Sequence, residues 1–241
     1  MPYSLNYKFI APKIIEISWP DIVKKEILLE IMRMKKRVLT AWKDELLDII
    51  MGYHRLSLHF NHEVDLNHII PEFEEFYQEG PTSKPSRRKC WKIPVCYQGK
   101  DLDRVSQKTG LDQEEIISLH QSNSYLLHFY GFMPGFMYLG GLNEKLFAPR
   151  KEVPDPLIEK GSVAIGGKQT GIYPMDSPGG WNIIGKTPIL LFDIKSPQPV
   201  FAQPGDEISF YSIGKEEFMD LQQKIKHQHI QPKHEPAHAS Y

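Results

Sequence analysis

The 241 residues are 41% hydrophobic and 24% charged, with a formal charge of −1, the composition of a soluble globular chain with room for one large domain or two modest ones. Apolar runs reach about five residues where a bilayer span needs roughly 20. The N-terminus, with Tyr3, Asn6 and Lys8, lacks the apolar core of a signal peptide, so the cytoplasm is the expected compartment. A near-zero net charge argues against a dedicated nucleic-acid binder.

In chain order, Tyr7 to Ser18 carries Ile10, Ile14, Ile15 and Ile17 broken by Pro12, a strand signal. Asp21 then reads as the N-cap of a helix through Ile22, Ile27, Leu28, Ile31 and Met34. Leu56, Leu58 and Phe60 alternate with polar residues as a strand does, and Asn67 to Tyr77 carries Ile69, Ile70, Phe73 and Phe76 at helical spacing. The stretch from Gly80 to Arg88 has linker chemistry. Residues 1–85 are therefore expected to form a small α+β domain.

From Trp91 to Tyr97 a strand opens a second domain, 86–215. Cys90 and Cys96 flank it about 20 Å apart at roughly 3.3 Å per residue, too far to bridge each other. Asp101 to Thr109 reads as a helix closed by Gly110, and Asp112 with Glu115 as a capping box opening another through Gln121. Two short helices joined by Gly invite a DNA-binding reading, but the second begins Asp-Gln-Glu-Glu and would repel phosphate. Short β-prone runs follow at Tyr125 to Phe132, Phe136 to Leu139, Ser162 to Ile165, Ile189 to Phe192 and Ile208 to Ile213, the pattern of a barrel or sandwich. Residues 216–241 are expected to hold a C-terminal helix and a tail. Four of the ten histidines, at 227, 229, 234 and 238, sit among Gln, Pro and Ala there, so the tail reads as disordered rather than as a metal site.

Eleven of the seventeen glycines lie between Gly131 and Gly185. Phe132, Phe136, Tyr138, Phe147, Tyr173 and Trp181 are interleaved with them, which a solvated linker would not need. Within this segment Gly180-Trp-Asn-Ile-Ile-Gly-Lys-Thr187 satisfies the phosphate-loop pattern. Its context does not: no helix follows whose N-terminal amides could meet phosphates, and a turn between two strands is the better reading. Ser177, in Met175-Asp-Ser-Pro-Gly179, lacks the first Gly of a nucleophile elbow. His120 fits either a structural histidine or a proton-transfer group, near its ordinary pKa if partly exposed. Read as one surface, Arg150, Lys168, Gln169, Tyr173, Asp176 and Ser177 could hold a small carboxylate or amide on turns where glycines let backbone approach a ligand.

Gly131-Phe-Met-Pro-Gly-Phe-Met-Tyr-Leu-Gly-Gly-Leu142, Ala148-Pro-Arg150, Gly161-Ser-Val-Ala-Ile-Gly-Gly-Lys-Gln-Thr-Gly-Ile-Tyr-Pro174 and Ser177-Pro-Gly-Gly-Trp-Asn-Ile-Ile-Gly185 resemble the PxpB family, the B component of 5-oxoprolinase. That family is also labelled allophanate hydrolase subunit 1, and it includes the kinase inhibitor KipI. Ile93-Pro-Val-Cys-Tyr97, Leu119-His-Gln-Ser-Asn-Ser-Tyr125 and Gln203-Pro-Gly-Asp206 fit it as well. The resemblance spans about residues 5 to 215 and leaves out the His-rich tail.

The resemblance implies a small α+β N-terminal domain followed by a cyclophilin-like β-barrel domain. It also implies work with two partner subunits, the A and C components, in the ATP-dependent opening of 5-oxo-L-proline to L-glutamate. ATP and Mg would be handled at the level of the complex, with no metal certain on this chain. By motif position, His120, Tyr125, Gln169, Tyr173 and Ser177 are the candidate catalytic residues. Arg150, Lys168, Gly166 and Gly167 are the candidate substrate-binding residues. A KipI-like inhibitor of a sensor histidine kinase is the rival reading, for which exposed aromatics and Met133 or Met137 would supply a docking surface. A carboxyltransferase-type subunit is a third, although Met34-Lys35 lies in a helix rather than in the hairpin turn of a biotin carrier.

Overall fold

The computed structural model describes residues 3–79, 88–227 and 232–237. The expected linker falls almost wholly outside the described residues, as do His229 and His238 of the tail. The chain divides into two compact units, Met1–Ser86 and Arg87–Tyr241, and its class is mixed α and β.

In the first unit, strands β1 (Asn6–Ala11) and β2 (Ile14–Ser18) form a hairpin about Pro12-Lys13. Helix α1 (Lys25–Ala41) follows, then β3 (Leu46–Met51), β4 (Arg55–Phe60) and helix α2 (Leu66–Gln78). The strands make an antiparallel sheet in the order β1-β2-β4-β3. Ile15, Ile17, Leu56 and Leu58 are fully buried on the sheet, and Ile27, Leu28, Ile31 and Met34 on α1, as the two periodicities require. One expectation needs correction. Asp21 does not cap α1: the amide of Ile22 bonds back to the Pro20 carbonyl at 2.7 Å, and the helix begins three residues later at Lys25 with no side-chain cap. Strand β3 has no clear signal in the sequence pattern, because Leu47 and Ile50 leave an apolar side chain in solvent on its outer face.

The second unit opens with β5 (Lys89–Val95), α3 (Leu102–Thr109) and α4 (Gln113–Gln121). Gly110 closes α3 at φ 75, and Asp112 and Glu115 make the reciprocal capping box that starts α4. Strands β6 (Ser124–Tyr130), β7 (Met137–Gly140), β8 (Asp155–Ile158), β9 (Ser162–Gly166), β10 (Gln169–Ile172), β11 (Ser177–Gly179), β12 (Asn182–Lys186) and β13 (Glu207–Ser212) follow. Helix α5 (Lys215–His227) and strand β14 (Lys233–Pro236) end the described chain.

Eight strands join in the order β12-β9-β10-β7-β6-β13-β5-β14, with β13 parallel to β5 and the other pairs antiparallel. Just beyond β5, Cys96 exchanges two backbone hydrogen bonds with Lys186 of β12, at 2.9 and 3.0 Å. One face carries the larger apolar cluster, including Ile93, Leu127, Leu139, Ile165 and Ile208. The ribbon of β8 and β11, paired apart from this sheet, contributes Ile158 to a second cluster with Phe136, Ala164, Tyr173, Trp181 and Ile183.

Three more expectations change here. Gly180–Thr187 is not a turn between strands, since residues 182–186 are themselves β12, laddered to β9. Ile189 to Phe192 is not a strand: it keeps the alternation, with Ile189 and Leu191 buried and Leu190 exposed, but among the described residues no strand pairs with it. In the tail, Lys233–Pro236 is ordered as β14 against β5.

Candidate functional site

The candidate residues gather about the β9–β10 hairpin. Gly167 and Lys168 are its two central residues, because Gly166 pairs with Gln169. Gly167 takes φ 66, which a primed hairpin turn demands at its first position. The Gly167 amide and carbonyl both bond Ala148, at 2.7 and 3.2 Å, so the segment carrying Arg150 is pinned to the turn carrying Lys168.

Trp181 organises one side of this junction. A Cβ on Gly166 would overlap the indole, so the ring packs directly on the β9 backbone. Phe136 meets Trp181 and Tyr173 edge-on, each at 5.5 Å between centroids. The exposed Arg150 guanidinium lies 5.4 Å over the indole centroid, a cation–π contact that holds the cation without neutralising it. Tyr173 is buried. Burial pushes its hydroxyl up to about 12, against the opposing effects of a backbone hydrogen bond at Trp181 and the nearby Arg150 charge. Ser177 Oγ is buried with no hydrogen-bond partner among the described residues. Lys168 sits over Phe147 at 5.8 Å and is exposed.

Two candidates belong elsewhere. His120 is fully buried, with its ring stacked on Phe210 at 4.6 Å. Its Nε2 lies 2.8 Å from Thr170 Oγ1 and its Nδ1 2.8 Å from the Tyr97 hydroxyl. Because Thr170 Oγ1 already donates to the Ala164 carbonyl, it accepts from His120 Nε2–H, and Nδ1 accepts from Tyr97. Burial lowers the His120 pKa to about 3, so the condition of partial exposure on which a proton-transfer role rests is not met. Tyr125 donates to the His120 carbonyl at 2.8 Å, and burial raises its pKa. It acts on the backbone that ends α4. Both are struts of the core, yet Thr170 is the neighbour of Gln169, so they fix the strand that presents a candidate residue.

Sequence reasoning misses a half-buried charge cluster beside Arg150. Lys151 Nζ lies 2.7 Å from both Asp101 Oδ2 and Asp155 Oδ2, and Lys100 reaches Asp155 at 2.9 Å. Asp101 is more than the start of a helix: its carboxylate accepts the Ile183 amide at 2.8 Å and ties β12 to the segment carrying Lys151. Burial alone would lower the Lys151 pKa, but the hydrogen bonds it donates to the two carboxylates raise it; burial alone would raise that of Asp155, and the two lysines lower it. Asn182 escapes notice too: it accepts from Arg104 Nε at 3.0 Å and donates to the Pro149 carbonyl at 3.0 Å. The one local signal is the pair Arg150-Lys151 after Ala-Pro; the carboxylate partner at Asp101 is remote in sequence.

The family model for the carboxyltransferase domain, subdomain C and D, matches residues 5–202. The B component of the Haemophilus influenzae 5-oxoprolinase is 37% identical over 175 residues, 71% of this chain and 82% of that protein. The chain belongs to this family. The corresponding 5-oxoprolinase component of Bacillus subtilis is 42% identical over 134 residues. That match spans 54% of this chain and little more than half, 56%, of the relative's length. In fold, the chain superposes on the Kluyveromyces lactis urea carboxylase with a TM-score of 0.78 at 16% identity, over 98% of this chain and 24% of that one. All the family motifs up to Gly185 fall inside the matched residues.

Proposed function

We propose that the chain is the PxpB component of a multi-subunit, ATP-dependent 5-oxoprolinase that opens 5-oxo-L-proline to L-glutamate, and that it is inactive alone. The observation that carries this reading is Arg150, an exposed cation steadied by Trp181 within the span that the family model matches, in a chain 37–42% identical to relatives of that name. In this reading Arg150 clamps the substrate carboxylate. Gln169, Tyr173 and the Ser177 hydroxyl, which has no partner among the described residues, orient the lactam, and Gly166, Gly167 and Lys168 shape the approach.

Amide resonance makes the lactam stable, which is the chemical reason for coupling its opening to ATP. The residues of the phosphate-loop pattern do not fit a nucleotide. The phosphate-loop pattern lies in the β12 ladder, and a Cβ at Gly185 would meet Val95 and the Cys96 carbonyl within 3 Å. Among the described residues, no group of three His, Cys, Asp or Glu could hold a metal. ATP and Mg are handled, in this reading, at the level of the complex. The strand-rich second unit fits a cyclophilin-like β-barrel, a reading supported by the Cys96–Lys186 bonds that bring β12 to the end of β5. Among the described residues no helix is long and apolar enough to cross a membrane.

The KipI-like reading draws on one feature. Phe132, 65% exposed at the tip between β6 and β7, is held at φ 65, an unusual backbone for an aromatic residue, and would suit docking on the helices of a sensor histidine kinase. Met137 offers nothing to such a surface, being fully buried. Co-expression with the C and A components and assay of glutamate released from 5-oxoproline with ATP separates the readings. Release that requires this chain supports the enzyme; an assembly of the other two components equally active without it sinks the assignment.

A further inference from the structure

Three consecutive residues, Gly180 to Asn182, hold three others, Pro149 to Lys151, that run in the opposite direction. The Lys151 amide donates to the Gly180 carbonyl at 2.7 Å. The Trp181 indole carries the Arg150 guanidinium. Asn182 Nδ2 donates to the Pro149 carbonyl at 3.0 Å. Pro149 has no N–H to bring to a ladder, and the carbonyl it does offer is taken by a side chain. Both peptide groups that adjoin the Arg150 Cα are therefore fixed, one by the Gly180 backbone and one by the Asn182 amide.

Asn182 is 1% exposed, and both polar atoms of its side chain are used. Nδ2 also donates to the carbonyl of Ile165 at 3.1 Å, the residue before the Gly166 on which Trp181 packs. Oδ1 accepts from Arg104 Nε at 3.0 Å. Two carbonyls on one side and a guanidinium N–H on the other leave the amide a single orientation. Asp101, three residues before Arg104, accepts the Ile183 amide at 2.8 Å and the Lys151 ammonium at 2.7 Å. The start of α3 thus grips two adjacent residues of β12 and, through Asn182 and Asp101, both neighbours of Arg150.

We propose that Asn182 is a positioning residue for Arg150, with Arg104 as the group that orients it. A guanidinium recognises a carboxylate through a planar fork of donors, so its aim matters as much as its charge. A side chain that must be aimed needs its backbone held as well as its tip. The cation–π contact with Trp181 steadies the tip, and the Asn182 bond to Pro149 sets where the side chain starts. In its effect on substrate the inference rests on the role given to Arg150 above; the placement of Arg150 by Asn182 does not.

The test uses the full chain and two readouts. In Asn182→Asp the carboxylate keeps the size of the amide and the bond from Arg104, but it donates nothing and faces the two carbonyls. The Arg150 Nε–H resonance, identified by its loss in Arg150→Lys and displaced by the Trp181 ring current, should return toward the position of solvent-exposed arginines. In the complex reconstituted with the A and C components, KM for 5-oxoproline should rise about fivefold to tenfold, the worth of roughly one hydrogen bond, with kcat nearly unchanged. Arg104→Met, at a half-buried position of α3, frees the amide to turn and should act in the same direction by about twofold to threefold, even where the change at Asn182 unfolds the chain. Trp91→Phe deletes a buried hydrogen bond to Asp206 outside this register; it should lower the melting temperature and leave both readouts where they were. An Arg150 resonance unmoved in both variants overturns the proposal, as does an unchanged KM where Arg150→Ala is itself impaired. Wild-type turnover in Arg150→Ala overturns the substrate role of Arg150 instead, and the resonance then decides its placement by Asn182.

Discussion

His120 Nε2 donates across the core to Thr170 Oγ1 at 2.8 Å, joining the last turn of α4 to the strand that begins with Gln169. Thr170→Val keeps the shape of the side chain and removes the acceptor, leaving a buried N–H unsatisfied at a cost of about 1–3 kcal/mol. Urea unfolding should show that loss in the midpoint with the slope unchanged. A variant as stable as the wild type would mean that the two groups are not bonded.

Acid should destabilise the second unit in a defined window. Burial holds His120 at about 3 and His128 at about 4, whereas both return to about 6.5 on unfolding. Below that value the unfolded chain binds the extra protons. Stability is therefore complete above pH 6.5 and falls as pH drops toward 4 and then 3, by about 1.4 kcal/mol per unit for each histidine. Urea midpoints at pH 7.5, 6 and 5 measure it, and a flat profile would contradict burial of the neutral rings.

Lys151→Ala leaves Asp101 and Asp155 facing each other without the cation between them. A buried ion pair broken on one side costs about 3–5 kcal/mol, and the side chains of Lys151 and Asp101 are each 11% exposed. Lys100 offsets part of the loss at Asp155. The expected result is a large drop in thermal midpoint, greater than that for Lys100→Ala, whose side chain is 56% exposed. The reverse order would place the main attraction on the surface.

The two adjacent glycines should respond differently to alanine. Gly167→Ala meets no atom within 4 Å but must keep φ 66, a cost of roughly 1–2 kcal/mol. Gly166→Ala drives a methyl into the Trp181 indole, which overpacks the site and moves the ring under Arg150, costing at least about 1–3 kcal/mol. Tryptophan emission should shift for Gly166→Ala and stay fixed for Gly167→Ala.

Arg150→Ala should lower kcat/KM of the reconstituted complex by about tenfold to a hundredfold, the worth of a charge-assisted hydrogen bond, with the melting temperature almost unchanged. Gln169→Ala should likewise lose activity. Wild-type turnover in both variants removes these residues from the substrate.

What the sequence reveals is local. Gly110, Asp112 and Glu115 declare their roles within a few residues, because caps and left-handed turns are satisfied by near neighbours. Arg150, Gln169, Tyr173 and Ser177 stand out through their motifs, and the fold brings the first three near one turn and one indole. What stays hidden depends on remote partners: Asp101 on Lys151, Asn182 on Pro149, and His120 on Thr170. Ile189 to Phe192 misleads because alternation reports a buried side and an exposed side, not whether a ladder partner exists.

The parallel pairing of β5 with β13 also sets a timetable. The Trp91 indole donates to Asp206, 115 residues further along the chain. At a synthesis rate of about 5–20 residues per second, β5 leaves the ribosome roughly 6 to 23 s before the strand that must lie beside it. The first unit has all its strands by then and can fold on its own schedule. The second waits with Trp91, Ile93 and Val95 uncovered, which makes the nascent chain, more than the finished protein, the form most in need of a chaperone.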